Sequence, residues 1–374
     1  MAETNNLRLL VEQKDVCSLP WVHLELNLHN DRVQPCCKWE GSIGRISEGA
    51  LDLWQGPKFS QLRQQHLSGL PPPECRACQG SPEEFSYKTW KNQLYKSLLN
   101  VTIKPEPAKP RVLHLGLKNT CQLACVMCSP GLSSRLDQLV RSNPELTQWH
   151  TPTDHHRKQS LDHVISLIGD LDHVTIAGGE PTIDPDCMTI IKAIDHLNQK
   201  SCTVNVSTNL DRINPELMDL MNQRGDHLSV SVDAVGLAND WIRWPSKWSR
   251  LEANLNLILD RWPRIGLRMN TTISCLTVTT MNELIAWSQQ WPFLGVMASP
   301  VLNMPPLDAA NLPQKIKESL LRELKGNDPL TQASRARIML PSTQAWQLSV
   351  DYFRALDRAR MTNWSEAFPL LRTS

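Results

Sequence analysis

The residues with the most chemistry in this chain are cysteines, and they are unevenly spaced. Of eleven in total, three stand in LGLKNTCQLACVMCSP as Cys121, Cys125 and Cys128, a CxxxCxxC pattern. Thiolates are the usual ligands of iron–sulfur clusters, and a cuboidal cluster wants four of them. Three close thiolates form a compact cradle and leave one iron without a protein ligand. An open coordination position of that kind makes a metal site reactive instead of structural. Zinc is the structural alternative, but it needs a fourth ligand, and the nearby His114 and His150 have no ligand spacing. A second group, Cys17, Cys36, Cys37, Cys75 and Cys78, is split between CSLPWVHLELNLHNDRVQPCCKW and PPPECRAC. Cys187, Cys202 and Cys275 stand alone and read as small buried apolar residues.

Reactive thiols need elements to hold them, and from residue 112 the chain has a regular pattern. Candidate strands are 112–117, 173–178, 202–208, 227–233, 266–274 and 294–301. Between them fall helical stretches at 131–143, 159–169, 186–199, 213–223, 250–261, 279–290 and 312–325. Strands alternating with helices predict an α/β fold with parallel pairing. Six such units make a partial (β/α)6 TIM-type barrel, in which functional groups gather at the carboxyl ends of the strands. CxxxCxxC lies in the loop leaving the first of these strands. Earlier in the chain, VHLELNL (22–28) reads as a strand, His29 to Arg32 as a hairpin turn and 50–67 as a helix, before the breaker Pro71-Pro72-Pro73. The expected organisation is a cysteine-rich, metal-binding module over 1–100, a proline-rich linker over 101–111, the barrel over 112–305 and a helical extension over 306–374.

The cysteine motif after a first strand resembles the signature of the radical S-adenosylmethionine (SAM) superfamily, and the later strand ends match that family in order. Gly178-Gly179-Glu180-Pro181 resembles the family's GGE motif, which receives the amino group of the SAM methionine. Ser207 and Asn209 look like contacts to the methionyl or ribose part, and Ser231 and Asp233 like the ribose-contacting position. Asn270, Thr272 and Val301 sit where the family lines its adenine pocket, and Arg243 is the candidate partner of the SAM carboxylate. Met127 stands where the family usually has an aromatic residue; a flexible thioether can fill the place beside the adenine. The resemblance covers about residues 110–305. The N-terminal cysteines are similar to those of twitch or SPASM-type modules, which hold an auxiliary 4Fe-4S cluster. Here five cysteines, Cys17, Cys36, Cys37, Cys75 and Cys78, serve four ligand positions, with either Cys36 or Cys37 spare, and the module precedes the barrel instead of following it. Two split cysteine pairs also suit tetrahedral zinc.

The resemblance implies a 4Fe-4S cluster on Cys121, Cys125 and Cys128, S-adenosyl-L-methionine as cofactor, and a second, auxiliary 4Fe-4S cluster. It implies reductive cleavage of SAM to a 5′-deoxyadenosyl radical that abstracts a substrate hydrogen atom, for oxidation or for modification of a peptide or small molecule. A transferase or isomerase acting on a nucleotide-type substrate, or a zinc-stabilised non-enzymatic interaction protein, are the alternatives. An electron donor such as flavodoxin or ferredoxin is the expected partner. A formal net charge of +1 argues against a polyanion-coating protein, so no nucleic acid is expected. No stretch approaches the length of a membrane span, and charged residues in MAETNNLRLLVEQKD occupy the place of a secretory apolar region, so a cytoplasmic location is expected. Thirteen Trp against three Tyr has no functional counterpart in the sequence.

Overall fold

The computed structural model describes residues 17–78, 107–153, 161–197, 202–301 and 303–372. The ends of the helices expected at 159–169 and 186–199, most of the linker at 101–111 and the two ends of the cysteine-rich segment lie outside these. All six expected strands are present, as β3 (Val112–Gly116), β4 (His173–Ala177), β5 (Thr203–Thr208), β6 (His227–Ser231), β7 (Gly266–Ile273) and β8 (Val296–Pro300). Two more precede them, β1 (His23–Asn27) and β2 (Arg32–Gln34). The strands form one sheet in the order β2-β1-β3-β4-β5-β6-β7-β8. The fold is α/β with a mostly parallel sheet, a partial TIM-type barrel.

Two compact units make up the chain: residues 1–118, 155–177 and 185–205 in one, and 119–154, 178–184 and 206–374 in the other. In the first, β1 is antiparallel to β2, with Leu26 opposite Val33, and parallel to β3, with Leu24 opposite Leu113. A strand inside the cysteine-rich segment is thus hydrogen-bonded into the barrel sheet, because its backbone groups need partners on both sides. The β1–β2 hairpin turns where expected: Asn27 Oδ1 accepts the backbone N–H groups of His29 and Asn30, and Asp31 takes a positive φ of 58°. The helix expected over 50–67 is broken into Ala50–Gln55 and Pro57–Leu67. Gly56 between them is extended, and Pro57, with no N–H, is suited to a helix start but not to an interior.

In the second unit β6, β7 and β8 are parallel, with Val230 opposite Met269 and Thr271 opposite Ala298. The tail is helical as expected, with helices Gln314–Glu323, Pro329–Ile338, Trp346–Arg360 and Trp364–Ala367. Much of the tryptophan is accounted for here. Trp241, Trp346 and Trp364 pack around Phe353, and Trp248, Trp287 and Trp291 form a second group. Indole N–H groups of Trp241, Trp262 and Trp287 donate to Asp357, Asp219 and Glu252, so these large rings are buried without leaving their donors unpaired. No helix among the described residues is long and apolar enough to cross a membrane.

Strand alternation sets up the site. On β7, Leu267, Met269, Thr271 and Ile273 are buried while Asn270 and Thr272 are half-buried on the opposite face. β5 repeats this, with Val204, Val206 and Thr208 buried and Asn205 and Ser207 half-buried. TIM-type barrels ordinarily fill their interior with bulky branched residues; here the half-buried face carries Ser, Asn and Thr instead.

Candidate functional site

The three cysteines lie between β3 and helix Ser134–Ser142, on a loop whose backbone is fixed from several directions. Ala124 N–H donates to Trp244 O and Val126 N–H to Ile242 O, at 2.7 and 2.8 Å. From the tail, the Tyr352 hydroxyl donates to Val126 O at 2.8 Å and Arg360 Nη2 donates to Ala124 O. Ser133 donates to Leu123 O and accepts from Leu136 N–H, ending the loop and capping the helix with one hydroxyl. Ser134 Oγ meets both the N–H and the carbonyl of Cys121.

Burial pushes the Cys121, Cys125 and Cys128 thiols up, Cys128 to about 12. The charge of Cys125 adds to the effect on its two neighbours. As they stand, no three His, Cys, Asp or Glu side chains among the described residues are gathered tightly enough to hold a metal ion. The donor set nevertheless fits an iron–sulfur cluster: three soft ligands on one short loop become inexpensive thiolates only when a cation stands among them. Two buried guanidiniums add to this field. Arg243 Nη1 is 4.0 Å from Cys125 Sγ and pairs with Asp233 through Nη2 at 2.6 Å, and the charge of Arg360 also lowers the Cys125 thiol.

Glu180 is buried and its carboxylate is fully engaged. Oε1 accepts from Thr182 N–H, Thr182 Oγ1 and Thr208 Oγ1, the last two at 2.7 Å, and Oε2 accepts from Asn209 N–H at 2.7 Å. It ties the Gly178-Gly179 turn, whose φ angles are 85° and 57°, to the end of β5. Its own N–H donates to Thr120 O, one residue before Cys121. Asn209 then reaches back: its Nδ2 is 3.8 Å from Cys121 Sγ and its Oδ1 accepts from Gln122 Nε2. Asp233 is wholly buried; its Oδ1 accepts Thr272 N–H at 2.7 Å and its Oδ2 meets Arg243. Asp233, Asn209, Glu180 and Arg243 are therefore brought around the cysteine loop. Ser231 and Asn270 are register partners across β6 and β7, Ser207 and Thr272 share the half-buried polar faces of their strands, Met127 is half-buried within the loop, and Val301 is buried with its N–H on Ile273 O. The isolated Cys187, Cys202 and Cys275 are buried, as read from sequence.

In the first unit the other cysteines interact too. Burial and the charges of Cys37 and Cys17 push Cys36 well up, and Cys75 rises to about 12 through burial and the charges of Cys17 and Cys78. Cys36 is partly buried and Cys37 exposed, while His66 Nε2 lies 3.6 Å from Cys75 Sγ.

The sequence reading missed Thr182, Gln122, Tyr352 and Arg360, and considered His150 only as a metal ligand. Thr208 stands between Ser207 and Asn209 in the strand end read as contacting SAM; the tail residues carried no local signal. His150 makes a testable case. Burial, with Arg360 nearby, lowers its imidazole to about 4, and the neutral ring hydrogen-bonds the Tyr352 hydroxyl at 2.9 Å. A folded value below the unfolded one means stability is full above about 6.5 and is lost as the pH falls toward 4. The contribution is on the order of 3 kcal/mol. Denaturant midpoints should fall between pH 7 and 4.5, and His150→Gln should flatten that slope; an unchanged slope in the variant would rule the residue out as its source.

Residues 117–286 match the family model described as the Radical SAM superfamily. Over this stretch the chain is similar to a radical SAM domain. None of the curated proteins matches it in sequence. Among solved structures, native anSMEcpe with bound AdoMet aligns at 15% identity and a TM-score of 0.40, over 51% of this chain and 52% of that one. SuiB of Streptococcus suis bound to the precursor peptide SuiA aligns at 14% and 0.41, over 66% and 51%. TYW1 with a lysine–pyruvate adduct bound aligns at 17% and 0.34, over 58% and 74%. The chain spans about half the length of the first two. Overlaps this loose lead to nothing further; the similarity to a radical SAM domain rests on the family match.

Proposed function

We propose that this chain is a radical SAM enzyme that cleaves S-adenosylmethionine and uses the resulting 5′-deoxyadenosyl radical to abstract a hydrogen atom from a substrate. The observation that carries the reading is the loop of Cys121, Cys125 and Cys128, three partly buried thiols on one short backbone segment held from several directions, with Arg243 beside Cys125. A 4Fe-4S cluster held there supplies the electron that splits the sulfonium and an open iron for the methionyl amine and carboxylate. The protein's share is binding and orientation. Gly178 and Gly179, fixed by Glu180, present their backbone to the methionyl end. Ser207, Asn209, Ser231, Asn270 and Thr272 offer donors and acceptors to the ribose and base, Met127 and Val301 give apolar cover, and Arg243 is the counter-charge for the carboxylate, held by Asp233.

The reading extends to an auxiliary 4Fe-4S cluster on Cys17, Cys36, Cys75 and Cys78. The partial burial of Cys36 against the exposure of Cys37, and the charges of Cys17 and Cys78 felt at Cys75, support that ligand set. A second cluster held by these cysteines would supply an acceptor for the electron left on a substrate radical, which suits net oxidation of a small molecule or peptide. The test is anaerobic reconstitution with iron and sulfide, reduction with dithionite and addition of SAM. Formation of 5′-deoxyadenosine and methionine in equal amounts is expected. A chain with a full complement of iron that forms neither overturns the proposal.

A further inference from the structure

One cavity in the second unit is left unused by this reading. It holds about 550 Å³ and is lined by Cys121, Gln122, Arg135, Asp211, Arg212 and Arg250, with neighbouring side chains. Apart from Cys121, none of the residues assigned to SAM lines it. It is a separate approach to the cysteine loop and not part of the nucleoside pocket.

The charge of this approach is one-sided. Arg135, Arg212 and Arg250 are all exposed. Asp211 is the single carboxylate in the lining, and it is already committed, accepting from Ser246 Oγ and Arg250 Nη1 at 2.9 Å each. Arg135 lies over the Trp244 ring, 5.3 Å from its centroid, which holds the guanidinium at the surface without neutralising it. Two of the three positive charges therefore have no acidic partner in the lining.

We infer that this arginine-rimmed cavity is the docking face for an acidic one-electron carrier protein that reduces the Cys121-held cluster. Each SAM cleavage consumes one electron, which must come from outside the chain. One electron leaves the reduced carrier, which is oxidised by one unit, and enters the cluster, which is reduced by one. Electron transfer through protein falls steeply with distance, so the donor must reach a cluster ligand. Cys121 is the thiol this cavity exposes. Positive charge around the point of transfer steers an acidic carrier there and orients it, raising the association rate and making that rate sensitive to salt. The inference rests on the proposed function.

The test is stopped-flow reduction of the reconstituted full chain, followed by bleaching of the cluster absorbance, with reduced flavodoxin or with photoreduced deazaflavin. The first reductant is an acidic protein; the second is small and needs no docking face. For the unaltered chain, the flavodoxin rate should fall steeply between 50 and 500 mM salt, roughly as screening requires. Arg135→Glu/Arg212→Glu should slow flavodoxin at least ten-fold and leave the deazaflavin rate as it was. Arg135→Gln/Arg212→Gln, a milder change if the reversal disturbs folding, should give an intermediate rate. An unchanged flavodoxin rate in both variants, a salt-independent rate in the unaltered chain, or equal losses with both reductants would each overturn the inference. A chain that takes up no iron overturns the proposed function, and absorbance shows this before any rate is measured.

Discussion

Changing Cys121, Cys125 and Cys128 together to alanine is expected to abolish 5′-deoxyadenosine formation and to lower the reconstituted iron content from about eight to about four per chain. The expectation follows from two separate sets of thiols. Cys121, Cys125 and Cys128 act on one another through their charges, and Cys17, Cys36, Cys37, Cys75 and Cys78 do the same among themselves. The loop should survive the change. Its backbone is held by Trp244, Ile242, Tyr352, Arg360 and Ser133, none of which bonds to it through a cysteine side chain. Circular dichroism and the thermal midpoint of the variant, prepared without iron, should therefore match those of the unaltered chain prepared in the same way. Iron and sulfide analysis then separates three outcomes. About four irons remaining assigns an auxiliary cluster to the N-terminal cysteines and supports oxidation as the overall reaction. No iron remaining leaves those cysteines to zinc or to packing, and the oxidative part of the proposal goes. An undiminished iron content would mean that CxxxCxxC is not the cluster site.

The sequence made one half of this site legible and left the other half invisible. Strand positions were readable because apolar residues recur with the period of a sheet, and the six barrel strands fall where Val, Ile and Leu alternate with polar residues. The cysteine loop was readable because ligand chemistry imposes spacing along the chain. Glu180 was found through its motif, but not its work: a carboxylate meeting Thr182, Thr208 and Asn209 depends on the strand ends being neighbours, which no local pattern encodes. The same holds more strongly for Tyr352 and Arg360, over two hundred positions from the carbonyls they bind. The sequence shows them only as members of an amphipathic helix. The broken helix at Gly56-Pro57 was readable in principle, since Pro at a first helical turn marks a new start. The joining of β1 to β3 was not, because the segment's length and composition suit a separate hairpin equally well.

Glu180→Ala should cost both stability and activity, and the second more than the first. Glu180 accepts from two backbone N–H groups, those of Thr182 and Asn209, and from two hydroxyls. The hydroxyls can turn to other acceptors, but the N–H groups cannot. Leaving them buried and unpaired costs about 1–3 kcal/mol each, so a loss of about 3 kcal/mol is expected in denaturant unfolding. The functional loss has another origin. The backbone N–H of residue 180 on Thr120 O is kept in the variant, but the carboxylate that joins the Gly178-Gly179 turn to Asn209 at the end of β5, and through Asn209 to Gln122 and Cys121, is lost. Without it the backbone meant for the methionyl group and the loop meant for the cluster lose their common brace. Misplacement by about 1 Å is enough to cost roughly a hundred-fold in rate, so 5′-deoxyadenosine formation should fall by at least that factor while iron content stays near that of the unaltered chain. Glu180→Gln separates the two effects. Its amide keeps one acceptor oxygen but sets an NH2 against a donor, either Asn209 N–H or Thr182 N–H, so stability should fall by less than in the alanine variant and activity should be intermediate. Full activity in both variants would show that Glu180 braces nothing the reaction needs. Loss of iron along with activity would instead place Glu180 in assembly of the cluster site.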